Sequence, residues 1–208
     1  MTEKIVLAST SPRRKQLLEW AEIPFEVVTA DTDETFPPGM DLRQAATHIA
    51  MQKALNVKNI LDENRTVVAA DTIVVLNGKQ LGKPKDRVDA INILTQLQGN
   101  THQVVTGVAI LNGEKQVLFH DSTEVVFHKL TPQQIIFYVD KYQPYDKAGA
   151  YAIQEWIGVV GIKSVKGDFY NVMGLPVSRV ILELDALKNP FRNHDEQDFD
   201  LGNPIYDE

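Results

Sequence analysis

Apolar residues fall in short runs divided by polar, glycine- and proline-bearing stretches, and the period of each run predicts an element. Residues 3–7 read as a first strand. Ser11-Pro12 then opens a helix, with serine as N-cap and proline at the first helical position, that carries Leu17, Leu18 and Trp20. Residues 25–28 read as a second short strand and residues 31–39 as a polar, proline-bearing loop. Asp41 opens a helix that passes Lys53, with Gln44 as its capping-box partner. Residues 66–76, TVVAADTIVVL, form the most buried-looking strand, followed by the hairpin signal Asn77-Gly78. Asp86 caps a helix that reaches Gln98 and stops at Gly99. Residues 102–111 and 115–129, joined by Asn112-Gly113, read as two long antiparallel strands. Thr131-Pro132 starts another capped helix, residues 149–162 read as glycine-punctuated strand and loop, and residues 177–187 form a final amphipathic helix. Strands and helices mix without strict βαβ alternation, which predicts an α/β fold: a mixed, twisted sheet flanked by helices.

Composition narrows the class. The chain has 208 residues, enough for a sizeable core, and 43% of them are hydrophobic. It has no cysteine, which excludes disulfides, thiolate metal sites and cysteine nucleophiles and fits a reducing, cytoplasmic setting. The apolar run near the first residue is too short for a signal peptide, and no stretch approaches transmembrane length. Of the net charge of −7, the last twenty residues contribute −5, because six acids there face only Arg192. Such an acidic balance disfavours nucleic acid and membrane surfaces as partners. The expected organisation is one domain over residues 1–188 and an acidic, mobile tail over 189–208.

Four segments carry chemistry. In LASTSPRR, residues 7–14, a strand gives way to hydroxyls and then to a helix whose first turn holds Arg13 and Arg14. Free amides and the positive end of the dipole make a helix start an anion site, whereas arginines there oppose the dipole, a local conflict that marks function. With Ser9 and Ser11 alongside, two guanidiniums suit bidentate phosphate contacts. Asp71 lies inside an apolar strand, where a lone carboxylate costs several kcal/mol unless paired or bound to metal, so it is expected at a sheet end facing a cleft. Asp31-Thr-Asp-Glu34 is an oxygen-ligand cluster suited to Mg²⁺ or Mn²⁺, and Gly82-Lys-Pro-Lys85 places lysines in a rigid turn.

These pieces fit one reaction on a nucleoside triphosphate. Arg13, Arg14, Lys53 and Lys83 neutralise phosphate charge, Glu34 and Asp71 hold a metal, and Asp71 takes a proton from water. The five histidines show no ligand spacing.

At these residues the sequence resembles the Maf family of nucleoside triphosphate pyrophosphatases. The matching motifs run in order: LASTSPRR, DTDE ending on Glu34, Lys53, AADTIVV, GKPKD, VVTGVAI at 104–110, AGAYAIQ at 148–154 and NVMGLPV at 171–177. The resemblance implies an elongated α/β fold with a central cleft, similar to the inosine-triphosphate pyrophosphatases. It also implies cleavage to monophosphate and pyrophosphate, dependent on a divalent cation (Mg²⁺, Mn²⁺ or Co²⁺), with Asp71 as base. Within the family, a homodimer and a link to cell-division arrest are expected. Arg13, Thr72 and Gln154 match the pattern of the dTTP/UTP subgroup, and a glutamine amide complements the donor and acceptor groups of a pyrimidine imide.

Overall fold

The computed structural model describes residues 4–61 and 65–188, so the expected tail at 189–208 lies outside the described residues, as does Glu3 of the first strand. Strand β1 (Ile5–Leu7) leads into helix α1 (Pro12–Trp20) and strand β2 (Phe25–Val27). A loop then reaches helix α2 (Leu42–Lys58), which precedes the long strand β3 (Val67–Leu76) and its short hairpin partner β4 (Lys79–Leu81). Helix α3 (Arg87–Leu97) is followed by the long hairpin β5 (Thr101–Asn112) and β6 (Lys115–Phe127), then by helix α4 (Pro132–Tyr142). The chain finishes with helix α5 (Trp156–Gly161), strand β7 (Ile162–Lys166) and helices α6 (Phe169–Met173) and α7 (Val177–Lys188).

The sheet is mixed, as expected, with strand order β2-β1-β3-β5-β6-β7 and β4 paired to β3 beside β1. β1 runs parallel to β2 and β3, and the remaining pairs are antiparallel. Side chains alternate across each strand, so β3 splits its residues between two cores. Val67 and Ala69 pack with Ala50, Ala54 and Val57 of α2, and Ile73 joins Ala45 and Ala46 of the same helix. Val68, Ala70 and Val74 face the larger core on the other side, with Leu94, Tyr138, Tyr151 and Leu175. Gly107 of β5 lets α2 lie against the sheet: a Cβ there would stand 2.3 Å from the backbone of Ala46 and Thr47.

Local signals held where side chains reached backbone donors. Ser11 caps α1 and Asp86 caps α3, while Thr131 and Gln134 form a complete capping box on α4. At α2 the Asp41 carboxylate accepts from the amide of Arg43, and the reciprocal bond expected from Gln44 is not found among the described residues. Residues 149–162 are corrected. Gly149 and Ala150 have φ of 71° and 58°, which no strand admits, and the segment forms a 3-10 turn, Ala148–Ala150, before α5. β7 and α6 carried too few periodic residues to be read from sequence.

A candidate active site where the sheet divides

Asp71 does not sit at a sheet end, as expected, but in mid-strand, opposite Gly107 of β5. On its other side β3 pairs with β1 only at Val67 and Val68, and with β4 only from Val74 onward. Between them, Ala69 to Ile73 have a ladder partner on the β5 side alone among the described residues, so the sheet divides beside Asp71. The loop after β1, with Thr10 and Ser11, and the turn after β4, with Lys83, frame the opening. A cleft of about 310 Å³ fills it, lined among others by Ser11, Arg13, Arg14, Glu34, Lys53, Asp71, Thr72 and Lys83. An apolar strand thus keeps its carboxylate because missing neighbours give that carboxylate room and a partner.

The partner is Lys53 of α2. Its ammonium lies 2.7 Å from Asp71 Oδ1 and 2.7 Å from Glu34 Oε1, and Lys83 stands 3.8 Å from Glu34 Oε2. Burial works to raise the Glu34 carboxyl, but the hydrogen bond and charge of Lys53, with Lys83 and Arg14, outweigh it and hold the group below its ordinary value. Glu34 is therefore ionised at neutral pH. Asp71 Oδ2 makes no hydrogen bond within the described residues. Among those residues no three or more histidine, aspartate or glutamate side chains converge as a metal cage. Two carboxylates in an open cleft fit Mg²⁺-type chemistry, in which water and substrate phosphates complete the shell. Glu34 and Asp71 are the residues that would hold such an ion.

Thr72, one residue on, projects to the opposite face of the sheet. Its hydroxyl lies 3.0 Å from that of Thr106, which donates to the carbonyl of Asn171 at 3.0 Å. Arg14 crosses to this face: Nε donates to the Gly174 carbonyl at 2.8 Å, Nη1 to Ser9 Oγ at 3.1 Å and Nη2 to Thr72 Oγ1 at 3.1 Å. The two arginines, expected to suit bidentate phosphate contacts, both line the cleft and also bond to the protein. Arg14 is buried with three of its N–H groups committed, and Arg13 pairs with Asp146 at 3.2 Å. Ser11, the α1 N-cap, lines the cleft. Ser9 is buried in the neighbouring cavity of about 210 Å³, which shares Thr10, Glu34 and Lys53 with the cleft.

Gln154 is not brought in. Its side chain is exposed and makes no hydrogen bond among the described residues, and it does not line the cleft. The same stretch instead supplies residues that sequence reasoning missed. Lys147 and Asp146, directly before AGAYAIQ, line the cleft, as does Tyr151. The buried Lys147 ammonium lies 2.8 Å from Asp146 Oδ1 and 3.6 Å from Glu155 Oε1, and Glu155 Oε2 accepts the Tyr138 hydroxyl. Asn171 of NVMGLPV is fully buried and donates 3.0 Å bonds to Val104 O and Thr123 Oγ1. The sequence signal for Lys147 was a charged pair abutting a glycine-punctuated apolar run.

A model of the Maf-like protein family matches residues 4–187. The dTTP/UTP pyrophosphatase of Cytophaga hutchinsonii is 47% identical over 186 residues, covering 89% of this chain and 85% of that protein. The protein of the same name from Bacteroides thetaiotaomicron is 44% identical over 185 residues, covering 88% and 96%. Among solved structures, a HAM1 protein from Coxiella burnetii matches with a TM-score of 0.50 and 15% identity, covering 88% of this chain and 100% of that one. At that identity the likeness concerns the fold alone.

Proposed function

The chain belongs to the Maf family, and on that premise we propose that it hydrolyses dTTP and UTP to the nucleoside monophosphate and pyrophosphate. The observation that carries the chemistry is the ammonium of Lys53 held at 2.7 Å from both Glu34 and Asp71 at the division of the sheet. The relatives named above are dTTP/UTP pyrophosphatases at close to half identity over most of both chains, which supports the substrate class.

In this reading a water oxygen forms a bond to the α-phosphorus while the α–β anhydride bond breaks, its electron pair leaving on pyrophosphate. The proton lost by the water goes to Asp71, whose Oδ2 makes no hydrogen bond among the described residues. Lys53 and Lys83 neutralise charge as it builds on the transferring phosphate and the leaving group, the electrostatic term that dominates phosphoryl transfer. A divalent cation held by Glu34 and Asp71 would cancel part of the triphosphate charge and polarise its oxygens. Ser9, Ser11, Arg13, Arg14 and Thr72 shape the substrate site. Arg14 acts through its fork onto Ser9, Thr72 and Gly174, and Gln154 belongs to the surface beside the cleft. In the same reading the catalytic domain spans residues 1–188, and a cytoplasmic homodimer belongs to it by family resemblance.

The test is pyrophosphate release from UTP, dTTP, CTP, GTP and 7-methyl-GTP, before and after EDTA treatment and on adding back Mg²⁺, Mn²⁺ or Co²⁺. The expected pattern is metal-dependent cleavage of UTP and dTTP with poor use of the others. Metal-independent turnover would remove Glu34 and Asp71 from the ligand role, and equal use of GTP would remove the pyrimidine assignment.

A further inference from the structure

The division of the sheet gives the cleft two chemically different ends. On the α2 face stand Lys53, Lys83, Glu34 and Asp71. On the opposite face Thr72, Val74 and Val104 line the cleft with Tyr151 and Met173, so its wall there is mostly apolar. With the phosphates at Asp71, the base of a nucleotide spanning the cleft lies on this second face.

Lys147 belongs to that second face. The turn after it packs there, with Gly149 against Val74, and the Gly149 amide donates to Gly82 O at 3.1 Å. Lys147 is only 8% exposed, yet among the described residues its three N–H groups meet just one acceptor at hydrogen-bond distance, Asp146 Oδ1 at 2.8 Å. Glu155 Oε1, at 3.6 Å, neutralises charge without closing a hydrogen bond, and Glu155 Oε2 is taken by Tyr138. Two carboxylates and Arg13 make the surrounding cluster charge-balanced, which suits a neutral ligand group better than a phosphate. An ammonium is a donor only, and a buried donor needs an acceptor.

We propose that Lys147 is the base-reading residue of this site, donating from its ammonium to the C4 carbonyl of uracil or thymine. The proposal rests on the pyrimidine-triphosphate reading and refines it. Uracil and thymine carry two carbonyl oxygens, whereas cytosine replaces one of them, at C4, with an amino donor. Set against the ammonium, that group leaves donor facing donor, so Lys147 separates UTP and dTTP from CTP. Asp146 and Glu155 act as positioning residues for it, and the Arg13–Asp146 pair extends the support to α1.

The first experiment uses the unaltered protein, comparing kcat/KM for UTP, CTP, 4-thio-UTP and 2-thio-UTP, since sulfur is a weak acceptor. A fall of roughly tenfold or more for 4-thio-UTP and for CTP is expected, with 2-thio-UTP close to UTP. Equal rates on all four overturn the proposal, and no cleavage of any pyrimidine triphosphate overturns the underlying functional reading instead. The second uses Lys147→Met and, to avoid a stranded carboxylate, Lys147→Met with Glu155→Gln, each checked for fold by circular dichroism. The UTP-to-CTP ratio should collapse towards one in a folded variant. A uniform fall on every substrate would assign Lys147 to the phosphates and overturn the proposal.

Discussion

Arg14 Nε donates at 2.8 Å to the carbonyl of Gly174, joining residues 160 positions apart across the cleft. Gly174 closes α6 with φ of 116°, a conformation that a residue with a Cβ strains to adopt, so its carbonyl is aimed by backbone geometry. Arg14→Lys keeps the charge but cannot reach Gly174, Ser9 and Thr72 together. The expected outcome is a loss of about 1–3 kcal/mol in denaturant unfolding together with lower kcat/KM for UTP. Unchanged values in both would mean that the fork positions nothing.

Asp71→Asn removes the proton acceptor and a metal-binding oxygen while keeping the shape that Lys53 contacts. Turnover should fall by about 10²–10⁴-fold, with a melting temperature unchanged or raised, since active-site carboxylates often cost stability. Single-turnover kinetics and calorimetry on the same preparation check both halves.

Gly107→Ala tests the approach of α2 to the sheet. The new Cβ would meet the backbone of Ala46 and Thr47 at 2.3 Å, and backbone cannot rotate aside. A destabilisation of about 3 kcal/mol or more is expected. Because α2 carries Lys53, activity should decline with it, and a variant as stable as the parent would show that the helix can shift.

His102 gives a pH dependence. Its Nε2 lies 2.7 Å from the Tyr151 hydroxyl, Nδ1 is buried without a partner among the described residues, and burial lowers its pKa from 6.5 to about 4. The unfolded chain takes up this proton first as pH falls, so the stabilisation from neutral His102 is complete above pH 6.5 and lost as pH falls towards 4. The loss amounts to at most about 3 kcal/mol. Melting temperatures measured from pH 7 to 4 should drop for the parent and flatten over that window in His102→Gln, whose amide can still reach Tyr151.

Much of this was legible in the chain. Ser11, Asp86 and Thr131 announced their helices because a cap is a local bond between a side chain and an amide two or three residues on. The Asn112-Gly113 turn announced the long hairpin for the same reason, and Asp71 declared itself by being a carboxylate among valines. Local chemistry of this kind also drew Lys53, Lys83 and Glu34 into one hypothesis, since a triphosphate demands cations near a metal-binding acid. What the sequence could not state was how Asp71 is accommodated. That depends on β1 ending at Leu7 and β4 reaching β3 only at Val74, a pairing between segments far apart in the chain. The exposed position of Gln154, the capture of Arg14 by Gly174 and the burial of Lys147 are tertiary for the same reason. Residue type and spacing fix what a side chain can do, but burial and partners are set by strands and turns that meet only when the chain folds.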